Sequence, residues 1–96
     1  MRAQRKTFKL ANVIHRAYEH PETFEYAVPN DVTLGCYVKL IFTTGAGEGE
    51  RMWVRVERVS GHRFVGTLAN DPVLIDDLRF GDRIRFSLEH ILAVCH

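Results

Sequence analysis

The apolar positions of this chain follow two different periods. From Leu10 onward, Leu10, Val13, Ile14, Ala17 and Tyr18 recur at i, i+3, i+4, i+7 and i+8, a single stripe at helical spacing with Lys9, Asn12, Arg16 and Glu19 on the other side. This predicts an amphipathic helix ending near Glu19, because His20 precedes Pro21 and the residue before a proline is pushed out of the α region. A helix of that length is marginal alone in water, so its stripe needs an apolar partner. Glu22 to Thr33 reads as an extended connection in which Phe24, Tyr26 and Val28 pin the chain to the body.

Beyond Gly35, read as a turn, the period is two. In Tyr37 to Phe42, Val38, Leu40 and Phe42 share one face and Tyr37, Lys39 and Ile41 the other. Both faces are partly apolar, which predicts cover on both sides. Thr43 to Glu50, with three glycines, reads as a mobile hairpin loop. Met52, Val54 and Val56 then alternate with Trp53, Arg55 and Glu57, and the alternation slips by one place at Glu57-Arg58-Val59, as at a β-bulge. Ser60-Gly61-His62 is a turn into a return strand, Arg63 to Ala69, in which Gly66 marks close approach of another backbone or a sharp bend. Asn70-Asp71-Pro72 is a turn, Val73-Leu74-Ile75 a brief apolar strand and Leu78 to Asp82 a reversal. Arg83 to Leu88 is a strand with Ile84, Phe86 and Leu88 inward and Arg83, Arg85 and Ser87 outward. Ser87-Leu88-Glu89-His90 reads as an N-cap opening one helical turn, after which Ile91, Leu92 and Val94 return to the body.

These elements predict an α+β fold: an N-terminal helix packed on a strongly bent antiparallel sheet of about five strands, an SH3-like roll or partly open barrel. Residues 1–96 form a single domain in this reading, with 1–8 a flexible basic tail. A 96-residue chain buries roughly 60–70% of its unfolded surface, enough for one modest core. Hydrophobic content of 46% and charged content of 26% are those of a globular protein, and a net charge of +1 gives no global bias toward nucleic acid or anionic lipid. Residues 1–20 are locally basic, with Arg2, Arg5, Lys6, Lys9 and Arg16 against Glu19. No apolar run reaches the ~18 residues of a membrane helix and no apolar core follows the basic start, so a cytoplasmic protein with no membrane partner is expected. Cys36 and Cys95 lack CxxC spacing and are expected reduced, as small apolar residues.

Chemistry-bearing patterns are weak. The glycine loop is followed by no helix, and Glu48 and Glu50 oppose a phosphate cradle. Asp71, Asp76, Asp77 and Asp82 fit turn and cap roles better than a metal site. The five histidines show no zinc spacing, and Cys36 with His90 is a nucleophile pair only by residue type. No catalytic residue, metal or cofactor is expected.

The candidate binding surface is Trp53, Arg55, Arg83 and Arg85 on the outward face, with the Asn70-Asp71-Pro72 turn as a second contact. A non-enzymatic protein-binding or regulatory module is the leading function. Arginines beside aromatic rings also suit single-stranded nucleic acid, at about 1–3 kcal/mol per stacked base. Cover of Trp53 and Ile41 by the helical stripe would instead leave the arginines a solvated rim. An immunity-like partner of a bacterial effector is a third reading, suggested by small size and lack of chemistry.

The segments KLIF, ERMWVRV, GHRFVGTLANDPV, LRFGDRIRF and EHI resemble the bacterial YegJ-like domains, a family of domains of unknown function, over roughly Lys9 to Val94. The resemblance implies no established activity and no catalytic residues. The family signature falls on Met52, Trp53, Val54, Gly66, Leu68, Asn70, Pro72, Gly81 and Asp82; the glycine-rich insert before Arg51 and the Cys95-His96 end depart from it.

Overall fold

A computed structural model describes residues 8–14, 31–44, 47 and 49–96. They form the strands β1 (Lys9–Leu10), β2 (Tyr37–Thr43), β3 (Gly49–Ser60), β4 (Arg63–Leu68), β5 (Arg83–Ser87) and β6 (Ile91–Cys95), with a 3-10 turn at Leu88–His90. Every pairing is antiparallel. The order is β1-β2-β3-β4-β5, and β6 returns to β2. On the edge of β2 away from β3, β6 pairs with Tyr37 to Leu40 and β1 with Phe42 and Thr43. The sheet therefore curls until its first long strand meets its last, a nearly closed barrel.

The inward residues fill it. Val38, Leu40, Phe42, Met52, Val54, Val56, Phe64, Leu68, Ile84, Phe86 and Ile91 belong to one buried cluster, and the Phe64 and Phe86 rings stack with centroids 5.3 Å apart. The expected bulge is present, since Val56 pairs with Gly66 and Arg58 with Val65, leaving Glu57 without an opposite number. Gly66 sits where a Cβ would collide with the Arg55 carbonyl oxygen and a Val54 methyl, so the close approach read from the sequence is real. At Gly61, φ is +61°, the conformation a two-residue hairpin loop demands between the paired Ser60 and Arg63.

The expected α+β architecture is corrected. The elements of the described residues are strands and the 3-10 turn, with helical backbone only briefly at Val13 and Ile14, not a helix packed across a sheet. Leu10, read as the first residue of the helical stripe, lies in β1 opposite Phe42, which takes it out of the helix. Val13 and Ile14 have helical backbone, with the Asn12 side chain accepting the Ile14 N–H at 2.9 Å. The rest of the stripe, from residue 15 to 19, falls outside the described residues, as do the connection from 22 to 30 and positions 45, 46 and 48 of the glycine loop. Val73 to Ile75 is not a strand: the Glu50 carboxylate accepts the Val73 and Leu74 N–H groups at 2.7 and 2.9 Å, fixing a loop that drops Ile75 into the core. Ile41 and Val13 are buried but lie outside the central cluster, and alternation puts Ile41 on the opposite face of β2.

Candidate functional site

The register decides which outward side chains are neighbours. Across β3, β4 and β5, Ser60, Arg63 and Ser87 form one row, Arg58, Val65 and Arg85 the next, and Arg55, Thr67 and Arg83 the third. Strands lie about 4.8 Å apart, so Arg58 and Arg85 face each other across β4 at roughly 10 Å, a gap both side chains can lean into. The bulge at Glu57 brings Arg58 onto this face; unbroken alternation after Arg55 would have turned it inward.

Over the upper two rows runs an open groove of about 490 Å³ lined by Arg58, Ser60, Arg63, Phe64, Val65, Arg85, Phe86, Ser87 and His90. A second hollow, bordered by Glu57, Arg58, Val65, Gly66, Thr67 and Arg83, continues it along β4. These three rows and the 3-10 turn carry Arg55, Arg58, Arg63, Arg83 and Arg85 against Glu57 and Glu89, a local excess of three positive charges on a chain of net +1. Arg55 is held by Glu57 at 2.8 Å, an exposed pair worth well under about 1 kcal/mol. Arg58, Arg63, Arg83 and Arg85 have no hydrogen-bonded carboxylate among the described residues.

His90 closes one end of the groove. Its Nδ1 lies 3.0 Å from the Ser87 backbone N–H, which can only donate, so Nδ1 carries no proton and Nε2 bears the hydrogen. Desolvation holds its pKa below the usual 6.5, against the pull of the neighbouring Glu89. The Glu89 carboxyl is held below its ordinary range, chiefly by hydrogen bonds from its own backbone N–H and from the Ser87 side chain, with Arg63 adding a smaller electrostatic pull.

The residues proposed from sequence divide in two. Arg83 on β5 and Arg55 on β3 flank Thr67, and Arg85 lies one row along beside Val65, all on the outward face that the alternation implies. Trp53 lies on β3 opposite Lys39, half-buried, with the Lys39 Nζ 4.8 Å from its ring centroid, so its exposed face is occupied. It is neither a covered core residue nor an open platform. Asn70 is a structural residue: its side-chain oxygen accepts the Trp53 backbone N–H while the Ala69 N–H donates to the Trp53 carbonyl. Asp71 is exposed and Pro72 half-buried, leading into the exposed Val73 and Leu74. Arg58, Arg63 and His90 also line the groove, although the sequence places none of them on the outward surface and offers His90 only beside Cys36; the slip at Glu57-Arg58-Val59 is the signal for Arg58.

Most signature residues serve the fold. Met52, Val54 and Leu68 are core; the Gly81 N–H donates to the Leu68 carbonyl at 2.7 Å; the Asp82 carboxylate accepts the Arg79 N–H at 3.0 Å. Cys36 is buried and Cys95 exposed, both free. No group of three metal-ligating side chains occurs among the described residues, and no helix among them is long and apolar enough to cross a membrane.

Residues 5–93 match the model of the family described as "Uncharacterized protein conserved in bacteria (DUF2314)", and the chain belongs to that family. No curated protein and no solved structure matches the chain.

Proposed function

We propose that this family member is a non-enzymatic binding or regulatory module that engages an acidic protein partner through the outer face of β3, β4 and β5. The observation that carries the reading is the set Arg58, Arg63, Arg83 and Arg85, side by side on one face without a bonded carboxylate among the described residues. Guanidinium groups crowded without counter-charge repel one another, and an acidic surface relieves that while gaining charge-assisted hydrogen bonds. The return of β6 to β2 through a 3-10 turn supports reading the barrel as SH3-like. Two free thiols fit a reducing cytoplasm.

Nucleic-acid binding is the second reading, and stacking is where the two part. Trp53 is already paired with Lys39 and precedes Arg55 by two residues on β3, outside the three arginine rows. The test titrates the protein with a labelled twelve-residue oligoglutamate and, in parallel, with dT12. The peptide should bind with an affinity that falls steeply with salt and drops about tenfold or more in the R83A/R85A double variant. Trp53 emission should not respond to dT12. Absence of peptide binding at low salt overturns the reading, and quenching of Trp53 by dT12 replaces it with the second.

A further inference from the structure

We infer that the groove above β4 is a binding site for a phosphomonoester dianion, presented on a phosphorylated side chain of the partner protein. This rests on the reading above and narrows it. What the groove lacks matters as much as what it holds. Its polar side chains are Arg58, Arg63, Arg85, Ser60, Ser87 and His90, with no carboxylate, amide or lysine among them. The guanidinium groups can only donate, the Ser60 hydroxyl is able to, and the Ser87 N–H forces the His90 ring to present Nε2–H. A lining made of donors selects a ligand made of acceptors. A phosphate monoester near neutral pH carries about two negative charges on three acceptor oxygens, and planar guanidinium forks grip it in bidentate fashion. A single carboxylate, with two oxygens and one charge, would leave donors unused. The volume of about 490 Å³ falls within the ~300–1,000 Å³ of ordinary ligand pockets, leaving room for the side chain and backbone that carry the phosphate.

The positions argue for a site rather than a diffuse field. Arg58 and Arg85 occupy the same cross-strand row on either side of Val65, and Arg63 stands one row further along β4. Three strands thus converge on one opening, two of them through the same cross-strand row, so a shift of one strand would scatter the set. Glu89 stands beside this arrangement, acting electrostatically on His90 and, less strongly, on Arg63, and local hydrogen-bond donors hold its carboxyl below its ordinary range.

The full chain, labelled with nitrogen-15, is titrated with inorganic phosphate while the arginine Nε–H and His90 ring resonances are followed. Arg58, Arg63, Arg85 and His90 should shift together and saturate, and Arg51, exposed on the same face of β3 but outside the groove, should not. A phosphoserine nonapeptide should then bind about tenfold or more tightly than the same peptide with glutamate in that place, and the R58A/R85A variant should lose that margin while R51A keeps it. Shifts spread over all surface arginines without saturation overturn the site. Equal affinity for the phosphoserine and glutamate peptides overturns the phosphoryl specificity while leaving the acidic-partner reading standing. Tighter binding of dT12 than of the phosphopeptide overturns the protein source of the phosphate.

Discussion

Replacing Gly66 by alanine puts the packing logic of the barrel to a direct test. At this position the backbone is not in the left-handed region, so alanine costs nothing conformationally; the whole effect is space. The new methyl group would fall well inside 3.0 Å of both the Arg55 carbonyl oxygen and a Val54 methyl, and 3.2 Å from the Arg55 carbonyl carbon. Two of those three atoms are backbone of β3, which β2 and β4 hold from either side, so neither can withdraw without breaking ladder hydrogen bonds. Overpacking a core typically costs about 1–3 kcal/mol, and a clash with backbone belongs at the upper end, about 3 kcal/mol. For a domain this small each kcal/mol moves the melting temperature by about 4–8 °C, so G66A should melt roughly 12–24 °C below the parent in a circular dichroism scan. Gly49 supplies the control: it too has ordinary φ, and its nearest atom is an Ile41 methyl at 3.4 Å, so G49A should move the midpoint by no more than a few degrees. A G66A protein melting within a degree or two of the parent would refute the close approach of β3 and β4 at this point.

His90 has a folded-state pKa below 6.5, so between that lowered value and 6.5 the unfolded chain binds more protons than the folded one; its contribution to stability is complete above about 6.5 and lost as pH falls through the folded value. Denaturant melts from pH 7.5 down to 5 should show the parent weakening more steeply than H90Q, whose amide can still accept the Ser87 N–H but does not titrate; identical slopes would contradict the unprotonated Nδ1. Asn70→Ala leaves the Trp53 N–H without its acceptor in a part-buried position and should cost about 1–3 kcal/mol in urea unfolding, with no loss of oligoglutamate binding once refolded; a loss of binding without a loss of stability would return Asn70 to the contact surface.

What the sequence disclosed, and what it hid, follows from the distance over which each residue is decided. The alternation of Arg83 to Ser87 is settled locally and reads correctly, as do the bulge at Glu57 and the crowding at Gly66. Leu10 reads as helical because its spacing to Val13, Ile14, Ala17 and Tyr18 is helical, yet its backbone is claimed by Phe42, far along the chain, and a two-residue strand leaves no periodicity to detect. Val73 to Ile75 has the composition of a strand, but the hydrogen bonds a neighbouring strand would supply come from the Glu50 carboxylate, which local propensity cannot anticipate. The candidate site was half legible for the same reason. Arg83 and Arg85 announce their face, whereas Arg58 and Arg63 join them only once the two-for-one count at the bulge fixes the register, and the tautomer of His90 depends on a backbone group three residues away.

The position of β2, flanked by β3 on one edge and by β6 and β1 on the other, also sets the order in which the molecule can assemble. The hairpins β2–β3 and β3–β4 join near neighbours through short loops and β4–β5 through residues 69–82, but on its other edge Tyr37 pairs with Cys95, and that contact must wait until residue 95 has left the ribosome. Topologies dominated by such distant pairings fold on the slow side, in milliseconds to seconds. During that interval a nascent chain carries an open ribbon with the outer edge of β2 bare along Tyr37 to Leu40, and the competing reaction is pairing with a second copy rather than with its own β6.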